Sequence, residues 1–201
     1  MITRENIWKE AWKSNLEILR SDLVDKVKND FGWTPLHELA WKGILDVLEH
    51  PSVNKVKDQY EETPLHLLAN WGREDVLDHP SVDKVKDNDG RTPLHSLARH
   101  GVKEVLTHQS VDQVKDKFGD TPLHILARYG VIEVLEHPSV DKVQNKYGWT
   151  PLHDLAHWNY LTKEDFRERF PWYKKEIKDL EEAVKEIVDT PASVRFILED
   201  L

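Results

Sequence analysis

The chain has no cysteine. That excludes a disulfide framework, a thiol nucleophile and a thiolate metal site. It also has no long apolar run. No stretch approaches the roughly 20 residues a helix needs to cross a bilayer, and 32% of the residues are charged. The opening residues, Met1-Ile2-Thr3-Arg4-Glu5-Asn6, lack the apolar core of a secretory signal. These absences predict a cytoplasmic protein. A net charge of −9 disfavours nucleic acid as a partner, because that affinity comes from neutralising phosphates. There is no nucleophile elbow, no phosphate-binding glycine loop and no zinc-protease motif. Asp and Glu are abundant but scattered over positions read as solvent-facing, and runs such as Lys174-Lys175-Glu176 read as wet helix faces. Neither catalysis nor a cofactor is expected.

What the chain does have is one tetrapeptide, five times over. Thr34-Pro35-Leu36-His37 returns at Thr63, Thr92, Thr121 and Thr150, each copy 29 residues after the last. A fixed period of this size marks a stacked repeat protein. The tetrapeptide is also a helix start. Thr offers a capping hydroxyl, and Pro takes the first helical position, where its missing N–H costs nothing. Leu94, Leu97 and Ala98 then keep the i, i+3, i+4 spacing of a buried stripe. Gly101 suits a left-handed helix end, and Val105-Leu106 reads as the inner face of a second helix. Asp87-Asn88-Asp89-Gly90 and Asp116-Lys117-Phe118-Gly119 have Asp first and Gly last, as a type I turn prefers.

These motifs resemble the ankyrin repeat over residues 30 to 158. The resemblance implies an all-α solenoid of stacked helix-turn-helix units with short hairpin or loop fingers. Two departures stand out. Ankyrin repeats run 33 residues, and the four missing here fall between Gly43 and Val47-Leu48, so the second helix is expected to be one turn shorter. The usual glycine loop is replaced by His50-Pro51-Ser52-Val53 and its copies, where Pro sets the chain reversal and Val53 and Val56 fill the vacated space.

The chain divides into three. Residues 1–29 are a worn unit: Ile7, Ala11, Trp12, Leu16, Ile18 and Leu19 hold the positions of Leu36, Ala40, Trp41, Leu45, Val47 and Leu48. An atypical first unit is expected of a cap. Residues 30–158 hold four full units and the start of a fifth, which leaves the pattern at Trp158-Asn159. Residues 159–201 differ in kind. Thr162-Lys163-Glu164-Asp165 resembles a capping box, and Pro171 interrupts the segment after it. Tyr173, Ile177, Leu180, Val184 and Ile187 share a helical face, and Thr190-Pro191 starts a last helix bearing Val194, Ile197, Leu198 and Leu201. This segment reads as a helical cap, or else as a separate docking segment.

Eleven histidines raise the question of metal. The resemblance gives His37, His66, His95, His124 and His153 a structural role, bonding the Thr hydroxyl and a carbonyl of the neighbouring unit. One His per unit, with units about 8–10 Å apart, cannot share a zinc that needs nitrogens near 2.0–2.1 Å. His50 and its equivalents read as donors, or carriers of partial positive charge, at helix ends. His153 and His157 have the spacing of a helical zinc pair, but no third ligand is evident. No metal is expected.

The remaining signal lies in residues that vary between equivalent positions. Before each Thr stand Trp33, Glu62, Arg91, Asp120 and Trp149. Where the first helix ends stand Trp41-Lys42, Asn70-Trp71, Arg99-His100, Arg128-Tyr129 and His157-Trp158. Phe31, Tyr60, Asp89, Phe118 and Tyr147 tip the fingers. In ankyrin-like proteins these positions line the concave face. The partner-binding candidates are therefore Trp33, Trp41, Tyr60, Trp71, Arg91, Arg99, His100, Arg128, Tyr129, Trp149 and Trp158. Aromatics and Arg are the residue types that dominate interface energetics; the competing reading is that the aromatics stack on one another and stiffen the array. Arg91, Arg99 and Arg128 predict a locally basic centre with aromatics toward both ends. The expectation is a monomeric interaction module for a protein or peptide of mixed acidic and hydrophobic character. The alternatives are a regulator that blocks an enzyme's active site with the same face, and a hydrolase or metalloprotein hidden in the C-terminal segment.

Overall fold

The computed structural model describes residues 1–190; the predicted last helix with Val194, Ile197, Leu198 and Leu201 lies outside them. The described residues are all-helical and contain no strand. Six short helices form the stack: α1 (Ile7–Trp12), α2 (Pro35–Trp41), α3 (Pro64–Ala69), α4 (Pro93–Arg99), α5 (Pro122–Arg128) and α6 (Pro151–His157). Each packs on the next in chain order. Two more, α7 (Lys163–Arg169) and α8 (Leu180–Asp189), come after them, and α8 packs on α6.

Helices this short do not persist alone in water, so each is held at both ends. In α2 to α6 the Thr–His pair closes a reciprocal capping box with Pro at the first position. The amide of the Leu after Pro donates to the carbonyl of a Val twelve residues earlier, as in Leu94 to Val82 at 3.0 Å and Leu123 to Val111 at 3.1 Å. At the far end Gly101 takes φ +70°, its amide reaches Ala98 O, and Val102 N reaches Leu97 O. These two bonds satisfy carbonyls the last turn would otherwise leave open. Ser14 and Asn159 hold the same left-handed position after α1 and α6, at φ 57° and 58°. The left-handed helix end thus extends into both terminal units, with Ser14 and Asn159 in the place of glycine.

The second segment of each unit is not a shortened α-helix. It is a five-residue 3₁₀ segment: Leu16–Arg20, Leu45–Glu49, Glu74–Asp78, Lys103–Thr107 and Ile132–Glu136. Between the left-handed residue before it and the turn after it, which opens on Ser21 in the first unit and on His-Pro or His-Gln in the others, too few residues remain to propagate i→i+4 bonds, and 3₁₀ geometry is the form used in pieces of this length. One turn of it buries one residue fully: Ile18, Val47, Val76, Val105 and Val134 are all at 0% exposure. Val24, Val53, Val82, Val111 and Val140 from the loop after it complete this layer, with Val56 and its copies half-buried against it. In the loop, His50 Nδ1 accepts from Ser52 N at 3.2 Å, and His79, His108 and His137 repeat the bond. These imidazoles are therefore acceptors that fix the turn, not positive groups at a helix end; burial lowers the pKa of His50, His79 and His137.

The C-terminal region differs from its sequence reading in one respect. Thr162 and Asp165 do close a capping box on α7, but Tyr173 and Ile177 precede α8 instead of sharing its face. The helix starts at Leu180, where the Asp179 side chain accepts from Glu182 N. Ala183, Val184 and Ile187 are its buried stripe, and Phe166, Phe170 and Tyr173 pack as a ring cluster beside it.

Candidate interaction face

The five-residue fingers begin at Asn29, Asp58, Asp87, Asp116 and Asn145. In each, the first side chain accepts from the amides two and four residues on; Asp87 Oδ1 takes Asp89 N and Arg91 N, both at 2.8 Å. A short polar side chain can close a turn in this way. Neighbouring fingers are tied by one backbone bond per step, for example Asn88 N to Tyr60 O at 3.0 Å. Below them runs the histidine ladder. His95 Nδ1 lies 3.1 Å from Thr92 N and 2.9 Å from Thr92 Oγ1, and its Nε2 lies 3.2 Å from Asp120 O in the next unit. Nδ1 accepts from an amide, so the proton sits on Nε2 and donates to the carbonyl. His37, His66 and His124 repeat this with Glu62, Arg91 and Trp149, and the ladder ends at Trp149 O. Burial pushes the pKa of His37, His95 and His124 down to about 4, and His66 and His153 are lowered by the same cause.

The structure separates the eleven candidate residues into two groups. Trp41, Trp71, Arg99, His100, Tyr129 and Trp158 stand exposed at the C-terminal ends of consecutive helices. They form one ridge, because each helix end touches the next: Trp71 Nε1 donates to Trp41 O at 2.6 Å, and Arg99 Nε lies 3.2 Å from Tyr129 Oη. Trp71 covers Gly43 and His100 covers Gly72. Tyr60 is an exposed finger tip. The others sit in the seams between units. Trp33 donates from Nε1 to Asp58 Oδ2 at 2.9 Å and stacks on His37. Trp149 stacks on His153 and meets His157 edge-on. Arg91 pairs with Asp89 at 3.1 Å.

Arg128 is held most tightly. It reaches Asp120 Oδ2 at 2.9 Å, and both its Nε and its second terminal nitrogen lie 3.2 Å from Asp154 Oδ1. Asn145 Nδ2 donates to Asp120 Oδ1 at 2.7 Å. Burial raises the pKa of Asp154 to about 6 against the opposing pull of Arg128. Two sequence expectations change here. The middle of the face is not an open basic patch, because Arg91 and Arg128 already face carboxylates; Arg99 remains as the exposed guanidinium. The acidic residues are not all solvent-facing either: Glu38, Asp58, Asp116, Asp120, Asp141 and Asp154 are buried.

Sequence reasoning passed over two things. Trp12 is 69% exposed, and it extends the ridge into the first unit, with Lys42 Nζ 4.6 Å from its ring centroid. Its register with Trp41 was the available signal. The other is the pairing of Arg128: Asp120 stood among the variable residues and Asp154 did not, and nothing in the repeat says that their carboxylates meet Arg128. Among the described residues no group of His, Asp or Glu could hold a metal ion, and no helix is long and apolar enough to cross a membrane. No protein-family model matches the chain, and no curated protein matches it.

Proposed function

We propose that the chain is an ankyrin-type repeat module that binds a protein segment along the ridge of helix ends and carries out no chemistry of its own. The observation that carries this reading is the row of Trp12, Trp41, Trp71, Tyr129 and Trp158, between 49% and 69% exposed, on a stack whose buried residues are otherwise regular. Contiguous exposed aromatics on a soluble surface mark interaction sites, and Trp and Tyr lose little side-chain freedom on binding. The fit is to a partner with apolar side chains over Trp41 and Trp71 and a carboxylate at Arg99. The tested pair is Trp71→Ala with Arg99→Glu, used in affinity capture read by mass spectrometry. Proteins retained by the parent chain are expected to be lost by the double variant and kept by Lys84→Glu, which lies in the loop after the 3₁₀ segment. Circular dichroism and melting temperature are expected to be nearly unchanged. Undiminished capture by the double variant would remove the ridge as the site.

A further inference from the structure

Four of the five tetrapeptide histidines meet the finger of the next unit in the same way. His37, His66, His95 and His124 each donate from Nε2 to the carbonyl of that finger's fifth residue, at 3.0–3.2 Å. The amide of its second residue donates in turn to the tip carbonyl of the finger before it: Gln59 to Phe31, Asn88 to Tyr60, Lys117 to Asp89 and Lys146 to Phe118, at 2.7–3.0 Å. Three of the four covered fingers carry glycine fourth. A Cβ at Gly32, Gly90 or Gly119 would lie 2.8–3.2 Å from the incoming amide nitrogen. The last finger has the same three groups with nothing over them. Among the described residues no amide donates to Tyr147 O, His153 Nε2 has no hydrogen-bond partner, and a Cβ at Gly148 meets nothing within 4 Å. Thr150 N donates to His153 Nδ1, so Nε2 carries the proton, as in the other four. The helix α8 covers α6 as the helix of a further unit would, but no described residue supplies that unit's finger. A cavity of about 490 Å³ opens there, with Trp149 and His153 on one side and Glu181, Glu182, Lys185 and Asp189 of α8 on the other.

We propose that this edge binds a main-chain turn of the partner protein, docked as the fingers dock on one another; the partner as its source rests on the protein-binding reading above. The four covered copies give the chemistry of the occupant. It presents an N–H to Tyr147 O and, three residues on, a C=O to His153 Nε2. It passes close over Gly148, where a side chain would stand in its way. Main-chain hydrogen bonds supply the affinity in such docking, as they do when a strand adds to an open sheet edge. The α8 wall carries three carboxylates and one ammonium. It therefore favours a basic side chain beside the donating amide, where Lys117 and Lys146 stand in two of the internal fingers. A second copy of the chain does not fit this place in register. Its first finger, residues 29–33, lies between α1 and α2, and these would fall on α6 and α8.

The test uses the full chain, nitrogen-15 labelled, titrated with an acetylated and amidated peptide of the sequence of residues 115–121, Lys-Asp-Lys-Phe-Gly-Asp-Thr. Its control is the same peptide N-methylated at the lysine after the first Asp. That peptide loses the donated N–H but keeps the two bonds by which the Asp side chain closes the turn. The parent peptide is expected to shift the Gly148 amide and the Trp149 indole. The methylated one is expected to bind at least about five-fold more weakly, for the loss of one hydrogen bond. Gly148→Ala is expected to block the peptide and to reduce capture of the partner. His153→Gln keeps a capping box without the Nε2 donor and is expected to weaken binding, which keeps the test open should Gly148→Ala fail to fold. No shift, shifts confined to other residues, equal binding of both peptides, or undiminished binding by either folded variant would overturn the proposal. So would a shift of the Gly148 amide on dilution of the chain alone, which would make a second copy the occupant, or contacts from residues 191–201 to Gly148 in the free chain. The titration involves no partner, so a silent edge with intact ridge-dependent capture would sink this inference alone. A responsive edge with capture unaffected by Trp71→Ala and Arg99→Glu would instead sink the ridge reading.

Discussion

His95 is at once the acceptor for its own helix start and the donor to the next unit. His95→Ala leaves a buried amide and a buried carbonyl unpaired, and is expected to cost about 1–3 kcal/mol in denaturant unfolding. His100→Ala, at an exposed ring, is expected to cost far less; equal costs would contradict the assigned bonds. The turn residues offer a second comparison at this scale. A Cβ at Gly119 would sit 2.8 Å from Lys146 N, with φ at +82°, whereas one at Gly148, at φ +78°, meets nothing within 4 Å. Both positions strain an L-residue, but only Gly119→Ala also pushes two fingers apart, so it is expected to lower the melting temperature more. Glu61 stands at φ 62° where the other fingers have glycine. Glu61→Gly is expected to gain up to about 1 kcal/mol, since the surface ion pair to Lys57 that it loses contributes little.

At the scale of elements, the 3₁₀ segments and α8 do different jobs. A 3₁₀ segment contributes one fully buried side chain and connects two better-held parts. Val105→Ala is therefore expected to cost about 1.5–3 kcal/mol, the transfer of a buried aliphatic side chain together with the void it leaves, while exposed Lys103 and Glu104 are expected to tolerate substitution. The amphipathic helix α8 covers α6, which has no further repeat to pack against. Val184→Asp would place an unpaired charge on that contact. The expected result is a lower melting temperature with exposed apolar surface detected by dye binding, against no change for Lys185→Glu on the wet face. Neither change in Val184→Asp would mean that α8 is not a cap.

Across the whole molecule, contacts run from each unit to the next. Besides the histidine ladder, Lys28, Lys57, Lys86 and Lys115 each donate to a carbonyl 29 residues on. Ser52 and Ser110 donate at 2.6 Å to Asp25 and Asp83, one unit back. Stability in such an array is close to a sum of units and their junctions, so deleting residues 88–116 is expected to leave a folded, less stable chain. The histidine ladder also sets the acid response. An imidazole whose folded pKa is near 4 binds its proton more readily in the unfolded chain, where the value is about 6.5. Its contribution is complete above about 6.5 and is lost as pH falls toward 4. Asp154, raised to about 6, acts in the opposite direction, gaining as pH falls, but three such histidines outweigh it. The melting temperature is expected to fall between neutral pH and pH 5, and a flat profile would remove the ladder from the explanation.

The amino-acid sequence by itself determined the period, the helix starts, the left-handed helix ends and the finger turns. Each of these is local chemistry, written within four or five residues and repeated. It also placed Trp41 and Trp71 in the pair of positions that ends the first helix of each unit, and their exposure came from the helix ends they occupy. Tertiary structure decided what depends on neighbours. The second segment became 3₁₀ because its length was set by the turns on either side. Arg128 closed on Asp120 and Asp154, eight and 26 residues away, because stacking brings the end of one helix against the seam of the next unit. A repeat pattern identifies equivalent positions; it does not say which side chains of adjacent units touch. For that reason the ion pairs of the buried carboxylates at the two ends, Glu38 with Lys42 and Asp154 with Arg128, became visible only in the assembled stack.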